Sequence, residues 1–295
     1  MTKIQDGPFL VTGASGQLGA RAVELLQEVG VGPLIVTTRS VEKLAPLAEK
    51  GVSVRAADFK EPAGLAQAFA GAQRMLLIST NDLTPGARMA AHDAAIKAAK
   101  EAGVKHIVYT SLTDPGSDSP ITFAIDHRET EAALVASGIP HTILRNNLYS
   151  DNFLMSLPQA IQSGQLLAAA GKGTAGYVTR EDCARAAVAA LLHEAGTKSY
   201  DISGPTLVGH AELAGILSEI VGKPITYVPI PVEDLRAGMI AHGLPEVMAA
   251  TLASFDTAIA VGNLAVISTA VQDLTGRAPT SAADFLRANK AVLLG

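Results

Sequence analysis

Through the first half of the chain, short apolar runs unbroken by polar alternation are separated by longer amphipathic stretches. The runs are Pro8–Thr12, Leu34–Thr38, Val52–Ala57, Arg74–Ser79, Val104–Thr110 and His141–Leu144. A strand covered on both faces has no solvent side, so its sequence reads as a continuous Val/Ile/Leu run. The stretches between them, at Gln17–Val29, Val41–Lys50, Pro62–Ala70, Pro85–Ala102 and Ile125–Ser137, carry helical patterns. Strand and helix alternating through short connections require parallel βαβ units, hence an α/β, Rossmann-like doubly wound sheet. Thr84-Pro85 reads as an N-cap followed by proline at the first helical position.

After about residue 147 the rhythm changes. Helical patterns dominate at Asp151–Ser163, Arg180–Leu192, Ala211–Val221 and several places after Val232, with short strands near Ser199–Ile202 and Ile225–Val228. The expected organisation is a dinucleotide-binding domain over residues 1–147 and a smaller, mainly helical substrate lobe over 148–295. Later strands are available to complete the first sheet. A chain of 295 residues can bury a substantial core without metal or disulfide staples.

Composition removes several function classes. With 23 basic against 28 acidic side chains, the net charge of −5 argues against nucleic acid, since neutralising phosphates needs clustered Lys and Arg. Cys183 is the only cysteine, which excludes an internal disulfide framework and a Cys-rich metal site, and no histidine spacing suggests a ligand set. Residues 1–7 contain no apolar core of a signal peptide, and no run approaches about 18 apolar residues. No metal, no membrane and a reducing cytoplasm are the expectations.

The sharpest local feature is Thr12-Gly13-Ala14-Ser15-Gly16-Gln17-Leu18-Gly19, between the first strand and the first helix. A dinucleotide pyrophosphate needs a tight turn, close backbone approach and a helix N-terminus with unsatisfied N–H groups. Gly13, Ser15, Gly16, Gln17 and Leu18 are the expected contacts. The spacing G-x-x-G-x-x-G departs from G-x-G-x-x-G, and its weight comes from its position ending a first strand. Sites for NAD place an acid roughly 20 residues further on. Here Arg39 stands at that point, and Lys43 follows one helical turn later. A guanidinium pairs with a 2′-phosphate and gains little from a 2′-hydroxyl, so NADP(H) is expected over NAD(H). Asp58-Phe59 is placed either to meet the adenine or, at Asp58, to cap the next helix. Ser79-Thr80-Asn81, ending the fourth strand, should line the cofactor ribose.

The glycine turn, Tyr109-Thr110-Ser111 closing the fifth strand, and Gly138-Ile139-Pro140-His141-Thr142-Ile143-Leu144-Arg145-Asn146 together resemble the NmrA-like branch of atypical short-chain dehydrogenases/reductases. Within it the likeness is greatest to the triphenylmethane dye reductase and NAD(P)H:quinone oxidoreductase group. It spans the chain, including Thr179-Arg180-Glu181-Asp182 and Ala211-Glu212-Leu213-Ala214. The resemblance implies a Rossmann-like domain, a small carboxyl-terminal lobe and a substrate cleft between them. It also carries a departure: none of the five tyrosines (109, 149, 177, 200, 227) has a lysine four residues on, so the Tyr-x-x-x-Lys acid of the main branch is missing. The related ether reductases use a lysine shortly before the Gly-Ile-Pro segment, and that position here is His127.

By this likeness His127 orients cofactor or substrate and shuttles a proton, Asn146 lies near the nicotinamide, and Tyr149 acts in the substrate cleft. Tyr109, Ser111, Phe123 and Phe153 join Tyr149 as substrate contacts. Those four aromatic residues come from only twelve in the chain, as a flat acceptor would favour. The expected activity is NADPH-dependent hydride transfer to a quinone-like or extended conjugated acceptor, which needs little acid help. Reduction of a ketone, or a non-catalytic dinucleotide-sensing regulator of the NmrA type, is the alternative. The partner is a small molecule, and monomer or homodimer is left open.

Overall fold

The computed structural model describes residues 5–295; the first four residues of the amino-terminal reading lie outside it. The strands and helices alternate as β1 (Phe9–Val11), α1 (Gln17–Val29), β2 (Leu34–Thr38), α2 (Ala45–Glu49), β3 (Ser53–Ala56), α3 (Leu65–Phe69) and β4 (Arg74–Leu77). They continue as α4 (Ala87–Glu101), β5 (His106–Leu112), α5 (Ala124–Ser137) and β6 (His141–Asn146). Then come α6 (Phe153–Ser156), α7 (Pro158–Ser163), β7 (Gln165–Ala168), β8 (Thr174–Ala175), α8 (Arg180–His193), β9 (Lys198–Ile202), β10 (Val208–Gly209), α9 (His210–Val221) and β11 (Thr226–Pro229). The chain closes with α10 (Val232–Ala241), α11 (Glu246–Val261), α12 (Ala270–Thr275), α13 (Ala282–Ala288) and α14 (Lys290–Leu294).

One seven-stranded sheet has the order β3-β2-β1-β4-β5-β6-β9. The pairs β1–β2, β1–β4, β2–β3 and β4–β5 are all parallel. Every residue of β1, β2, β4 and β5 is buried, which explains the unbroken apolar runs. Strand order reverses between β1 and β4, and ligands of such sheets bind where neighbouring strands diverge at their carboxyl ends. Thr12 marks the spot: its hydroxyl donates to the Leu76 carbonyl at 3.2 Å and accepts from the Ile78 amide at 3.0 Å.

Three expected helices are shorter or broken, and proline accounts for most of it. Val41–Leu44 is a 3-10 turn, and α2 starts only beside Pro46; Pro62–Gly64 is likewise a 3-10 turn ahead of α3. Pro158 separates α6 from α7. Proline has no N–H for the preceding turn, so a helix restarts there and does not run through. Helix α4 begins at Ala87, after Thr84-Pro85-Gly86 forms a turn closed by the Ala87 amide on the Thr84 carbonyl at 3.0 Å. Thr84 is therefore not its N-cap; Gly86, with φ +74, is.

The chain forms two compact units, and no single break at residue 147 separates them. The first runs to Leu112 and includes Asp126–Arg145 and Cys183–Tyr200; the second holds Thr113–Ile125, Asn146–Asp182 and Asp201–Gly295. The late segment joins the first unit because β9 completes its sheet and α8 is tied to β4. Arg74, buried on β4, donates to the Leu191 carbonyl near the end of α8 at 2.5 Å and to the Glu194 carbonyl just beyond it at 2.6 Å. The core of the first unit packs Leu10, Ile35, Phe69, Met75, Ile107 and Leu134 around the sheet. Each such side chain contributes about 1.5–3 kcal/mol of burial. In the second unit, α9 to α14 accompany two small sheets, β7 parallel to β11 and β8 antiparallel to β10. Among the described residues no helix is long and apolar enough to cross a membrane, and no three His, Cys, Asp or Glu side chains gather as a metal site.

Candidate dinucleotide and acceptor site

The glycine turn is built as its sequence demands. Gly13 has φ +60, a conformation that costs an L side chain about 1–2 kcal/mol. Gly19 serves close packing: a Cβ there would lie 2.3 Å from the Gly13 carbonyl oxygen. Gly16 caps α1 without a side-chain bond, and the first turn of α1 holds no acid. The positive end of a 13-residue helix is thus left for an anion. Ser15 bonds the Thr38 hydroxyl at 2.9 Å, which ties the turn to the end of β2. Gly13, Ser15, Gly16 and Gln17 are exposed, whereas Leu18 is buried and reaches a ligand only through its backbone.

Beyond β2, Arg39 and Lys43 are both exposed, with Thr38 accepting from the Ser40 amide at 3.1 Å to shape the segment. Asp58 accepts from the Lys60 amide at 2.9 Å, so the carboxylate shapes the turn after β3. Phe59 meets Phe69 edge-on at 6.4 Å. After β4 the backbone is held by side chains: the Ser79 amide donates to the Thr110 hydroxyl at 2.9 Å and the Thr80 amide to His92 Nε2 at 3.0 Å. The Thr80 hydroxyl is shielded from solvent and has no partner among the described residues, while Asn81 is exposed.

His127 lies at the centre of a polar cluster between α4, β5 and α5. Its Nδ1 is 2.8 Å from the Tyr109 hydroxyl and its Nε2 is 3.2 Å from an Arg88 guanidinium nitrogen. Arginine only donates, so Nε2 must accept and Nδ1 carries the proton toward Tyr109. His92, 0% exposed, accepts from Thr80 at Nε2 and therefore donates from Nδ1 to the Thr130 hydroxyl at 3.0 Å. Thr130 donates in turn to the Asp126 carbonyl at 2.6 Å. Burial, and then Arg88, hold both imidazoles neutral: His92 is pushed down to about 3 and His127 well below 6.5. Burial also raises the Tyr109 phenol and the Asp126 carboxyl, and lowers the Arg88 guanidinium. Such a cluster fixes orientation. Its two imidazoles, neutral, buried and hydrogen-bonded, hold their protons in place near neutral pH.

Ser111 is also bound internally. Its hydroxyl donates to Glu131 at 2.6 Å, and Arg145 grips the same carboxylate at 3.0 and 2.6 Å. The sequence reading singled out His127, Tyr109 and Ser111 but missed Arg88, His92, Asp126, Thr130 and Glu131. A signal was present: Arg88 and His92 sit four apart with Ala91, Ala95 and Ala99 on the buried side of α4, where polar residues need a reason.

Within the second unit, the Asn146 side-chain Nδ2 donates to the Tyr149 hydroxyl at 3.1 Å, and the Asn146 Oδ1 is buried with no partner among the described residues. The Arg180 guanidinium lies 4.8 Å over the Tyr149 ring. Phe153 is buried against Tyr177 at 4.7 Å, and half-buried Phe123 meets Phe255 edge-on at 5.8 Å. Cys183 is buried in α8.

Comparison with known proteins agrees with this construction. Quinone oxidoreductase 2 of Escherichia coli (strain K12) is 38% identical over 277 residues, covering 93% of this chain and 96% of its own. A crystal structure of the NADPH-dependent quinone oxidoreductase of Escherichia coli complexed with NADPH superposes with a TM-score of 0.88 at 37% identity, over 94% of this chain and 98% of the other. The Citrobacter sp. triphenylmethane reductase complexed with NADP(H) gives a TM-score of 0.88 at 35% identity, over 95% and 99%. The family model described as NmrA-like matches residues 5–284, and with a seven-stranded dinucleotide fold and relatives this similar, the chain belongs to the NmrA-like family.

Proposed function

We propose that this chain is an NADPH-dependent oxidoreductase that reduces quinone-like or extended conjugated acceptors. The observation that carries the reading is the internal commitment of the polar cluster. Tyr109 and His127 bond each other, His127 also meets Arg88, and burial keeps the imidazole neutral. With both nitrogens of a neutral imidazole engaged, no imidazolium stands ready to protonate a carbonyl oxygen, which suits acceptors whose reduced forms are stable with little proton help.

The residues present fit the cofactor. Gly13 supplies the left-handed backbone of the tight turn, Gly19 lets α1 pack against that turn, and α1 offers an N-terminus without a side-chain cap to the pyrophosphate. Arg39 and Lys43 would hold the 2′-phosphate, and the shielded Thr80 hydroxyl lacks the partner that a ribose hydroxyl or a carboxamide would supply. When bound, the reduced nicotinamide supplies the hydride. The protein contributes placement and exclusion of water more than proton transfer. His127 acts through Tyr109, keeping the fifth strand and α5 in register beside the Ser79–Thr80 backbone. Tyr149, half-buried with its hydroxyl on Asn146, is the acceptor contact, and Phe123 and Phe153 are braced apolar rings suited to a flat molecule.

Titrating NADPH and NADH against a panel of quinones, cationic dyes and ketones tests the reading. NADPH oxidation with quinones or dyes, and little with ketones, is expected; no turnover with any acceptor would overturn it. If His127→Ala abolished quinone reduction at unchanged NADPH affinity, direct acid catalysis by His127 would replace the positioning role.

A further inference from the structure

We propose that His92 is a positioning residue for this reaction: through its Nε2 it fixes the Thr80 backbone, so that the Thr80 hydroxyl is presented to a hydroxyl or amide of the NADPH nicotinamide riboside. The proposal rests on the cofactor reading above and extends it to a residue without any side-chain role in cofactor contact.

β4 ends at Leu77, and the next regular element, α4, starts at Ala87, so the segment between has no ladder to satisfy its amides. Three amides are satisfied by buried side chains, Ile78 by Thr12, Ser79 by Thr110 and Thr80 by His92. His92 is the most consequential of the three because both its ring nitrogens are engaged. Its other nitrogen is held by Thr130, Thr130 by the Asp126 carbonyl, and its ring lies edge-on to Tyr109 at 5.5 Å. The imidazole therefore bridges α4, α5 and the loop after β4, at the strand end where dinucleotides bind in doubly wound sheets. A second, independent observation points to a ligand at that loop: the Thr80 hydroxyl is shielded from solvent and has no protein partner. A buried hydroxyl without a partner is costly, and a bound group that pairs with it removes that cost.

Arg88, Tyr109, Thr130 and His127 face the ring, and burial together with the Arg88 charge holds it neutral down to about pH 3. The acceptor at Nε2 thus persists throughout the working range, as a fixed positioning contact requires. Gln offers an acceptor and a donor at similar reach, whereas Leu offers neither.

The test compares wild type, His92→Leu, His92→Gln and Thr80→Val. It measures NADPH dissociation constants by fluorescence titration, kcat and KM with one quinone, and melting temperature without ligand. His92→Leu is expected to weaken NADPH binding about tenfold and to lower kcat, with KM for the quinone changed less than about twofold, as loss of one buried hydrogen bond would give. His92→Gln should recover most of both losses. Thr80→Val should weaken NADPH to a similar degree, and the double variant His92→Leu/Thr80→Val should be no weaker than either single one, since both act on the same contact. The proposal is overturned if His92→Leu binds NADPH as wild type does, or if the double variant's losses simply add. Should His92→Leu fail to fold, undiminished NADPH affinity in Thr80→Val overturns it alone. A wild type that neither binds NADPH nor turns over a quinone refutes the cofactor reading instead, which separates the two failures.

Discussion

The polar groups of the first unit and the aromatic groups of the second are organised in opposite ways. In the first, His92, Tyr109 and His127 are almost wholly buried, and each hydrogen bond runs to another fixed group. In the second, Tyr149 is half-buried, its hydroxyl held by one amide and its ring covered by a guanidinium from α8. The first arrangement is closed to solvent; in the second, Tyr149 keeps a partly exposed face, and the Arg180 over its ring is held by Asn152 at 2.7 Å and Asp151 at 3.6 Å. A cofactor that is always the same suits closed, fully bonded groups, while conjugated acceptors of different outline suit a partly open aromatic face.

The largest break in that contrast should come from crowding the glycine turn. Gly19→Val places two methyl groups where even a Cβ sits 2.3 Å from the Gly13 carbonyl oxygen, so α1 must move off the turn. NADPH affinity is expected to fall on the order of a hundredfold, measured by fluorescence titration, because the helix N-terminus is displaced from the pyrophosphate. Charge reversal at the end of β2 comes next. Arg39→Glu should weaken NADPH by roughly tenfold to thirtyfold and raise the relative use of NADH, read from kcat/KM for both cofactors.

Acid should then separate the closed unit by stability. His92 has its ordinary 6.5 in the open chain and about 3 when folded, and His106 is held as low by burial, then Arg74 and His141. Each group is neutral in both states above pH 6.5 and contributes no slope there. Below 6.5 the unfolded chain takes up protons that the folded one refuses, so stability falls by about 1.4 kcal/mol per pH unit for each histidine until its folded value is reached. Urea unfolding at pH 7.5 and 5.0 measures this, and His92→Gln should remove one proton's share of the slope. An unchanged slope would show that His92 is not buried neutral. The smallest effect is expected from the partly open side: Tyr149→Phe should change quinone kcat by less than about threefold, since the ring and its contact with Arg180 remain. A drop of several orders would instead make Tyr149 the proton donor and move the enzyme toward ketone chemistry.

How much of this was legible depended on whether a residue's role is local. Leu34–Thr38 shows as a strand because burial on both faces leaves an unbroken apolar run, and Gly13 and Gly19 are legible because a left-handed backbone at the first and close helix approach at the second call for glycine. Pro46 and Pro158 were visible too, yet the expected helices ran through them; a stricter use of proline's missing N–H would have broken them where the structure does. His127 stood out only through family likeness, which placed it but gave no partners. His92 and Arg88 were passed over in α4, although Ala91, Ala95 and Ala99 mark the buried face they share; which groups meet that face is set by packing against α5 and β5.

The sequence by itself determined the doubly wound sheet, the tight glycine turn before α1 and the cation at the end of β2, since periodicity, glycine spacing and a charge at a fixed offset are all properties of nearby residues. Only the tertiary structure decided that β9 completes the sheet, that Thr113–Ile125 belongs to the second unit, and that Thr80, His92, Thr130, Tyr109, His127 and Arg88 form one cluster. Those residues lie up to 50 positions apart, Thr80 to Thr130. Packing brings them together, and whether a histidine donates, accepts or titrates is set by the atoms around it.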